Sequence, residues 1–262
     1  MAIGYISDQR LATYSAARTL NRIFGQANVM PITSSSIDKK SIKEFELIFF
    51  PGIYGEKSIC DELLNPEQRD LIFREVYDNA LALWTDCNWT YRISRTTQYE
   101  FIDGTHESWD GYNWIDAHTE GPALGADKAT TQDRYHLQLA NITFYQDDKE
   151  CQLQLACHNG PGLIVNKDNP DIKIIADYDG LTKAYTAAMT QRIGNGLIVA
   201  QGVLSHITAD HMIGRFNNHE KEHNRAHIES RLRHHHDAII NLQDQLASEI
   251  KPYMEQRHAH PA

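Results

Sequence analysis

The run Glu46-Leu47-Ile48-Phe49-Phe50 limits what this chain can fold into. Successive side chains of a strand point to opposite faces, so consecutive large apolar residues need cover on both sides. Such a strand belongs inside a parallel sheet with helices above and below it, and this one halts at Pro51-Gly52. A second apolar run, Ala80 to Trp84, ends at Asp86-Cys87. Between the two a helix is signalled by Asn65 as N-cap, Pro66 at the first helical position, Glu67 in the first turn, and Ile72 and Val76 on one face. Upstream, Ala2–Ser7 reads as a strand closing at Asp8, a helix N-cap, and Leu11–Phe24 as an amphipathic helix closed by Gly25. Asn28–Thr33 reads as a strand that Pro31 places near an edge, followed by a small helix or loop over Ser34–Lys43. Strand, helix, strand, helix and strand in this order predict a doubly wound α/β sheet.

The second half has a different rhythm. Glu100–Gly125 is rich in glycine and aromatics (Trp109, Tyr112, Trp114) and reads as a long loop over the C-terminal edge of the sheet, a lid or pocket wall. Alternation then returns. Tyr135, Leu137 and Leu139 share one face, as do Cys151, Leu153, Leu155 and Cys157, with a turn at Gln146–Lys149. Ile172–Tyr178 and Ala187–Arg192 continue as strands, and Asn195-Gly196 signals a hairpin into Leu197–Leu204. From His219 to about Gln256 the chain is helical, with Ile228, Leu232, Ile239, Leu242, Leu246 and Ile250 as an apolar stripe and a break expected near Pro252. The expected organisation is one domain over 1–212 and a His-rich helical extension over 213–262, which either folds back or pairs with a second copy.

Of the 262 residues, 41% are hydrophobic and 23% charged, as in an ordinary soluble domain. A formal net charge of −10 argues against nucleic acid or an anionic membrane as partner. No segment reads as a signal peptide or a membrane span, and four dispersed cysteines suit a reducing cytoplasm.

Cys87 is the chemical centre of this pattern. A cysteine at a strand-to-helix turn sits near helix-terminal N–H groups, which favour the thiolate. The alternative is plain packing, because free cysteine is often buried. The ordered fragments FELIFFPG (Phe45–Gly52), ALALWTDCNWTY (Ala80–Tyr91), NGPG (Asn159–Gly162) and LIVAQGVLSH (Leu197–His206) resemble the N-terminal domain of biotin-protein ligases, within the class I glutamine amidotransferase-like superfamily. The resemblance covers roughly the first 210 residues. It implies a flavodoxin-like three-layer sandwich, here with a strand-rich second half and a C-terminal helical extension.

It also implies that Cys87 matches a cysteine that attacks an amide carbonyl, with Tyr91 matching an aromatic four residues on. Pro51-Gly52 matches the turn at an oxyanion hole, where the backbone N–H groups of Gly52 and Asn88 would face a developing negative charge. Asn88-Trp89-Thr90 replaces the family's glycine-rich turn, so Trp89 is expected to crowd the substrate pocket. Asp86, if its carboxylate faces the sulfur, would raise the thiol pKa. The simplest register puts Thr208 at the triad histidine and Asp210 at its acid; a slip of two puts His206 at the histidine and Thr208 at the acid. Cys87, His206 and Asp210 are therefore the catalytic candidates of a degenerate triad, in which His158 and His211 are further imidazoles without an assigned place.

No cofactor or metal is expected. Asn159–Gly162 lacks the Lys-Ser/Thr of a phosphate loop and reads as a tight turn. His219, His223 and His227 have ligand spacing on a helix, but interleaved charges make a solvated face the simpler account. Two functions remain open at this level: a cysteine hydrolase or amidotransferase acting on an amide or small carbonyl compound, and a non-catalytic module that binds a small ligand. A homo-oligomer built through the C-terminal helix is a third, separate expectation.

Overall fold

The structure, a computed structural model, describes residues 2–7, 12–52, 59–101, 103–125, 137–146, 149–211 and 222–259. The expectations placed on Asp8, Tyr135, Asp147, Asp148 and His219 lie outside them. Strands β1 (Ile3–Ile6), β2 (Val29–Ile32), β3 (Leu47–Phe50) and β4 (Ala82–Asp86) are parallel in the order β2-β1-β3-β4. The last strand, β13 (Gly196–Gln201), lies parallel against β4. This is a doubly wound order, with Pro31 on edge strand β2, where its missing N–H costs no ladder bond.

The apolar pattern of β3 explains the layers. Leu47 and Phe49 face one core with Ala82, Trp84, Leu197 and Val199; α1 (Ala12–Phe24) covers it with Ala16 and Leu20. Ile48 and Phe50 face the other core with Leu83 and Ile198, under α2 (Ile59–Leu63), α3 (Pro66–Asn79) and α4 (Asn88–Ile93). Helix α3 begins as the sequence predicts, and Gln68 completes a reciprocal capping box with Asn65.

Between α4 and β13 the chain adds β5 (Thr96–Glu100), β6 (His106–Asp110), β7 (Ala117–Gly121), β8 (Gln138–Gln146), β9 (Lys149–Cys157), β10 (Gly162–Val165), β11 (Ile172–Tyr178) and β12 (Thr186–Ile193). These extend the sheet beyond β13 in the order β12-β10-β7-β5-β6, while β11, β8 and β9 branch from β12. Residues 100–125 are therefore not one long loop, since β6 and β7 lie within them. The hairpin into β13 turns on Gly194-Asn195, one residue before the Asn-Gly pair, because Ile193 pairs with Gly196 and Gly194 supplies the positive φ of 57°.

The C-terminal segment folds back. Helices α5 (Glu222–His234) and α6 (His236–Ala259) bury Ile228, Leu232, Ile239, Leu242, Leu246 and Ile250 in the same core as α1 and β4. At roughly 1.5–3 kcal/mol per buried aliphatic side chain, the stripe contributes on the order of 10 kcal/mol, comparable with the whole stability of a domain. These six side chains are internal structure, packed within the chain. Pro252 does not break α6; it and Ser248 are exposed, so the unbonded carbonyl is on the water side. Among the described residues no helix is long and apolar enough to cross a membrane.

Candidate functional site

The registers Phe50↔Thr85 and Asp86↔Gln201 bring the C-terminal ends of β3, β4 and β13 side by side. Cys87 stands one residue past the end of β4 and one before the start of α4, with φ 53° and ψ −114°. A left-handed φ on a non-glycine residue costs about 1–3 kcal/mol, and the surroundings enforce it here. The Cys87 N–H donates to Gln201 O at 2.9 Å, and Thr90 Oγ1 donates to the same carbonyl at 2.7 Å. Gly52 packs beside it so closely that a Cβ there would meet Cys87 Cβ at 3.0 Å and Leu204 Cδ2 at 2.8 Å. Only glycine fits this approach of β3 to the cysteine.

The thiol is buried and donates to the backbone carbonyl of His158 at 3.3 Å. Burial pushes its pKa well above the usual thiol value; the neighbouring Cys157 and Asp86 add to the rise, and the Asn88 backbone N–H opposes it. Cys87 is accordingly held as a thiol.

Asp86 does not spend its carboxylate on the sulfur. Its Oδ1 accepts from Gln201 Nε2 at 3.0 Å and its Oδ2 pairs with His206 Nδ1 at 2.7 Å, and all three residues are inaccessible to solvent. Burial raises the Asp86 pKa, and the His206 hydrogen bond opposes the rise. The His206 ring stands edge-on to Phe49 with centroids 5.6 Å apart. Its Nε2 has no hydrogen-bond partner among the described residues, so it makes no bond to the Cys87 sulfur.

Asp210, the expected acid, does not meet His206 either. Its side chain is half exposed and lies 3.9 Å from Arg233. The acid of His206 is the residue before the cysteine, a pairing across 120 positions that no spacing rule anticipates. His211 is turned to Thr208, whose N–H donates to its Nδ1 at 3.1 Å.

The remaining candidates divide. Tyr91 reaches the same turn that Cys87 bonds: its buried hydroxyl donates to Asn159 O at 2.8 Å. Its ring leads to Tyr99 and Trp109, at centroid distances of 5.8 and 6.5 Å, as an aromatic wall. Trp89 does not crowd the pocket. It is 1% exposed and packs edge-on to Phe50 at 4.7 Å in the core on the α2–α3 side, away from the core that holds Cys87. The Asn88 side chain likewise turns to Cys60, accepting its thiol at 3.9 Å. The sequence reading missed Gln201, Tyr178 and the part played by His158–Pro161 as a cover for the cysteine. Its signal was NGPG, read as a tight turn and as one fragment of the resemblance. Among the described residues no group of three or more His, Cys, Asp or Glu side chains is arranged to hold a metal ion.

No protein-family model matches the sequence, and no curated protein matches it in sequence. Among solved structures the chain is similar to a glutamine amidotransferase from Thermotoga maritima, with a TM-score of 0.59 and 9% identity over 95% of this chain and 97% of that one. The fold is glutamine amidotransferase-like. The protein SMU.1228c is similar over 96% of this chain and 100% of its own, with a TM-score of 0.56 and 9% identity. The cold-adapted β-galactosidase from Rahnella sp. R3 gives a TM-score of 0.50 and 10% identity over 78% of this chain and 29% of that one. At such identities the likeness shows the fold alone.

Proposed function

We propose that this chain uses the pocket around Cys87 to bind a small amide or related carbonyl compound, as a non-catalytic ligand-binding module on an amidotransferase-like scaffold. The observation that carries the reading is the state of the two central groups. The thiol is spent on the His158 carbonyl and is kept protonated, while His206, the candidate base, is held by Asp86 through Nδ1 and makes no bond from Nε2 to the sulfur. An activated nucleophile needs a base within hydrogen-bond reach. The four fragments that resemble the biotin-protein ligase N-terminal domain end around this one cysteine, at β3, β4, the His158–Pro161 turn and β13. That convergence supports a kinship with that domain in how a ligand is held.

A cysteine hydrolase is the second reading. It is favoured by the positive φ of Cys87, by the backbone of Gly52 packed against it, and by the Asn88 N–H that opposes the rise in thiol pKa. One pair of assays separates the two. Ammonia release from L-glutamine and L-asparagine is compared between wild type and Cys87→Ser, and the same amides are tested for protection of Cys87 against iodoacetamide. Protection without Cys87-dependent ammonia supports the binding module. Cys87-dependent ammonia establishes the hydrolase, and the absence of both effects refutes an amide site.

A further inference from the structure

The turn between β9 and β10 is unusual in where its carbonyls go. A surface turn of this length ordinarily leaves them to water. Here four consecutive carbonyls point inward and each has a donor. His158 O takes the Cys87 thiol at 3.3 Å and Asn159 O takes the Tyr91 hydroxyl at 2.8 Å. Gly160 O takes the Ala123 N–H at 2.9 Å and Pro161 O takes the Tyr178 hydroxyl at 3.0 Å. The backbone is seated equally closely: a Cβ on Gly160 would stand 1.7 Å from Gly202 O, just past the end of β13. Asn159 reaches this path with φ 52°, which asparagine tolerates better than most residues.

We propose that His158–Pro161 is an autoinhibitory strap that holds Cys87 closed and opens as a unit, with the Tyr91 and Tyr178 hydroxyls as its latches. Three features support a device over a fixed plug. The strap covers the residue that keeps a strained, positive-φ backbone, and such strain persists where a site is poised for use. Its latches come from separate elements, α4 and β11, and beside them releasing the strap breaks one backbone bond, from the Ala123 N–H to Gly160 O, just past the ends of β7 and β10. And when the strap lifts, the cysteine thiol loses its only hydrogen-bond acceptor among the described residues and is freed for a ligand carbonyl. The inference concerns access to the thiol, so it stands whether Cys87 binds or reacts.

The test is alkylation of the native full chain by iodoacetamide at pH 8, read peptide by peptide by mass spectrometry. Cys60, the buried residue of α2, serves as the control for global opening. Each latch bond exchanged for water is worth about a factor of five to ten in an opening equilibrium. Tyr91→Phe and Tyr178→Phe are each expected to speed Cys87 labelling by about that factor, with Cys60 unchanged. Gly160→Ala, which drives a methyl into Gly202 O, is expected to speed it further and serves if a tyrosine variant fails to fold. An unchanged Cys87 rate in the folded variants would show a permanent plug, and an equal rise at Cys60 would show global loosening. Either result overturns the strap.

Discussion

Arg257, two residues before the last described position, shows how firmly the C-terminal helix is built into this fold, and Arg257→Met measures it. The guanidinium is buried against the N-terminal side of the sheet. Its Nε donates to Phe45 O at 2.6 Å, Nη1 to Asn79 O at 2.7 Å, and Nη2 to Ile42 O at 3.0 Å and to Glu75 Oε2 at 2.9 Å. The two side chains of the pair are 4% and 6% exposed. Removing the cation leaves a desolvated carboxylate and three carbonyls without their donor. Breaking a buried pair in this way costs about 3–5 kcal/mol. For a chain of this size that is a fall in melting temperature of roughly 6–20 °C, measurable by circular dichroism. In a Glu75→Gln background the same substitution should cost about 2 kcal/mol less, because no charge is stranded. A melting temperature within about 2 °C of wild type, or an equal cost in both backgrounds, would refute the clamp.

Two further outcomes follow from the same packing. Truncation after Met212 removes the apolar stripe of α5 and α6 and should give an unfolded chain; a folded, cooperative 1–212 fragment by circular dichroism would show that the stripe is an appendage after all. Burial pushes His211 down from 6.5 to about 4, while the unfolded chain takes up its proton near the ordinary value. Between those values the unfolded state binds more protons, so the contribution of His211 is present above pH 6.5 and lost as pH falls toward 4. The melting temperature of His211→Gln relative to wild type should therefore improve from pH 7.5 to pH 5, and a pH-independent difference would contradict the assignment.

The parallel half of the sheet was legible because its signals are local. Phe49 and Phe50 must face opposite cores, Asn65-Pro66 can only start a helix, and Pro31 can only sit at an edge. The edge strand β6 was hidden because His106–Asp110 is largely polar, and its alternation shows only in Glu107 and Trp109. At the site, the position of Cys87 was readable from the end of an apolar run. Its partners were not. His206 goes to Asp86 because a buried carboxylate on β4 needs a donor more than an exposed one does, whereas Asp210 has water and Arg233. Trp89 turned away because its position on α4 faces Phe50, and no glycine count in the sequence reveals that.

The state of the Cys87 thiol can be measured directly. The rate constant for alkylation of Cys87 in the native chain, followed by mass spectrometry from pH 6 to pH 10, reports its thiolate fraction. A thiol held on the His158 carbonyl in a buried site should show a rate that is still rising at pH 10, with no plateau. A plateau below pH 8 would mean a thiolate already formed near neutrality, and with it an activated nucleophile in place of a binding site.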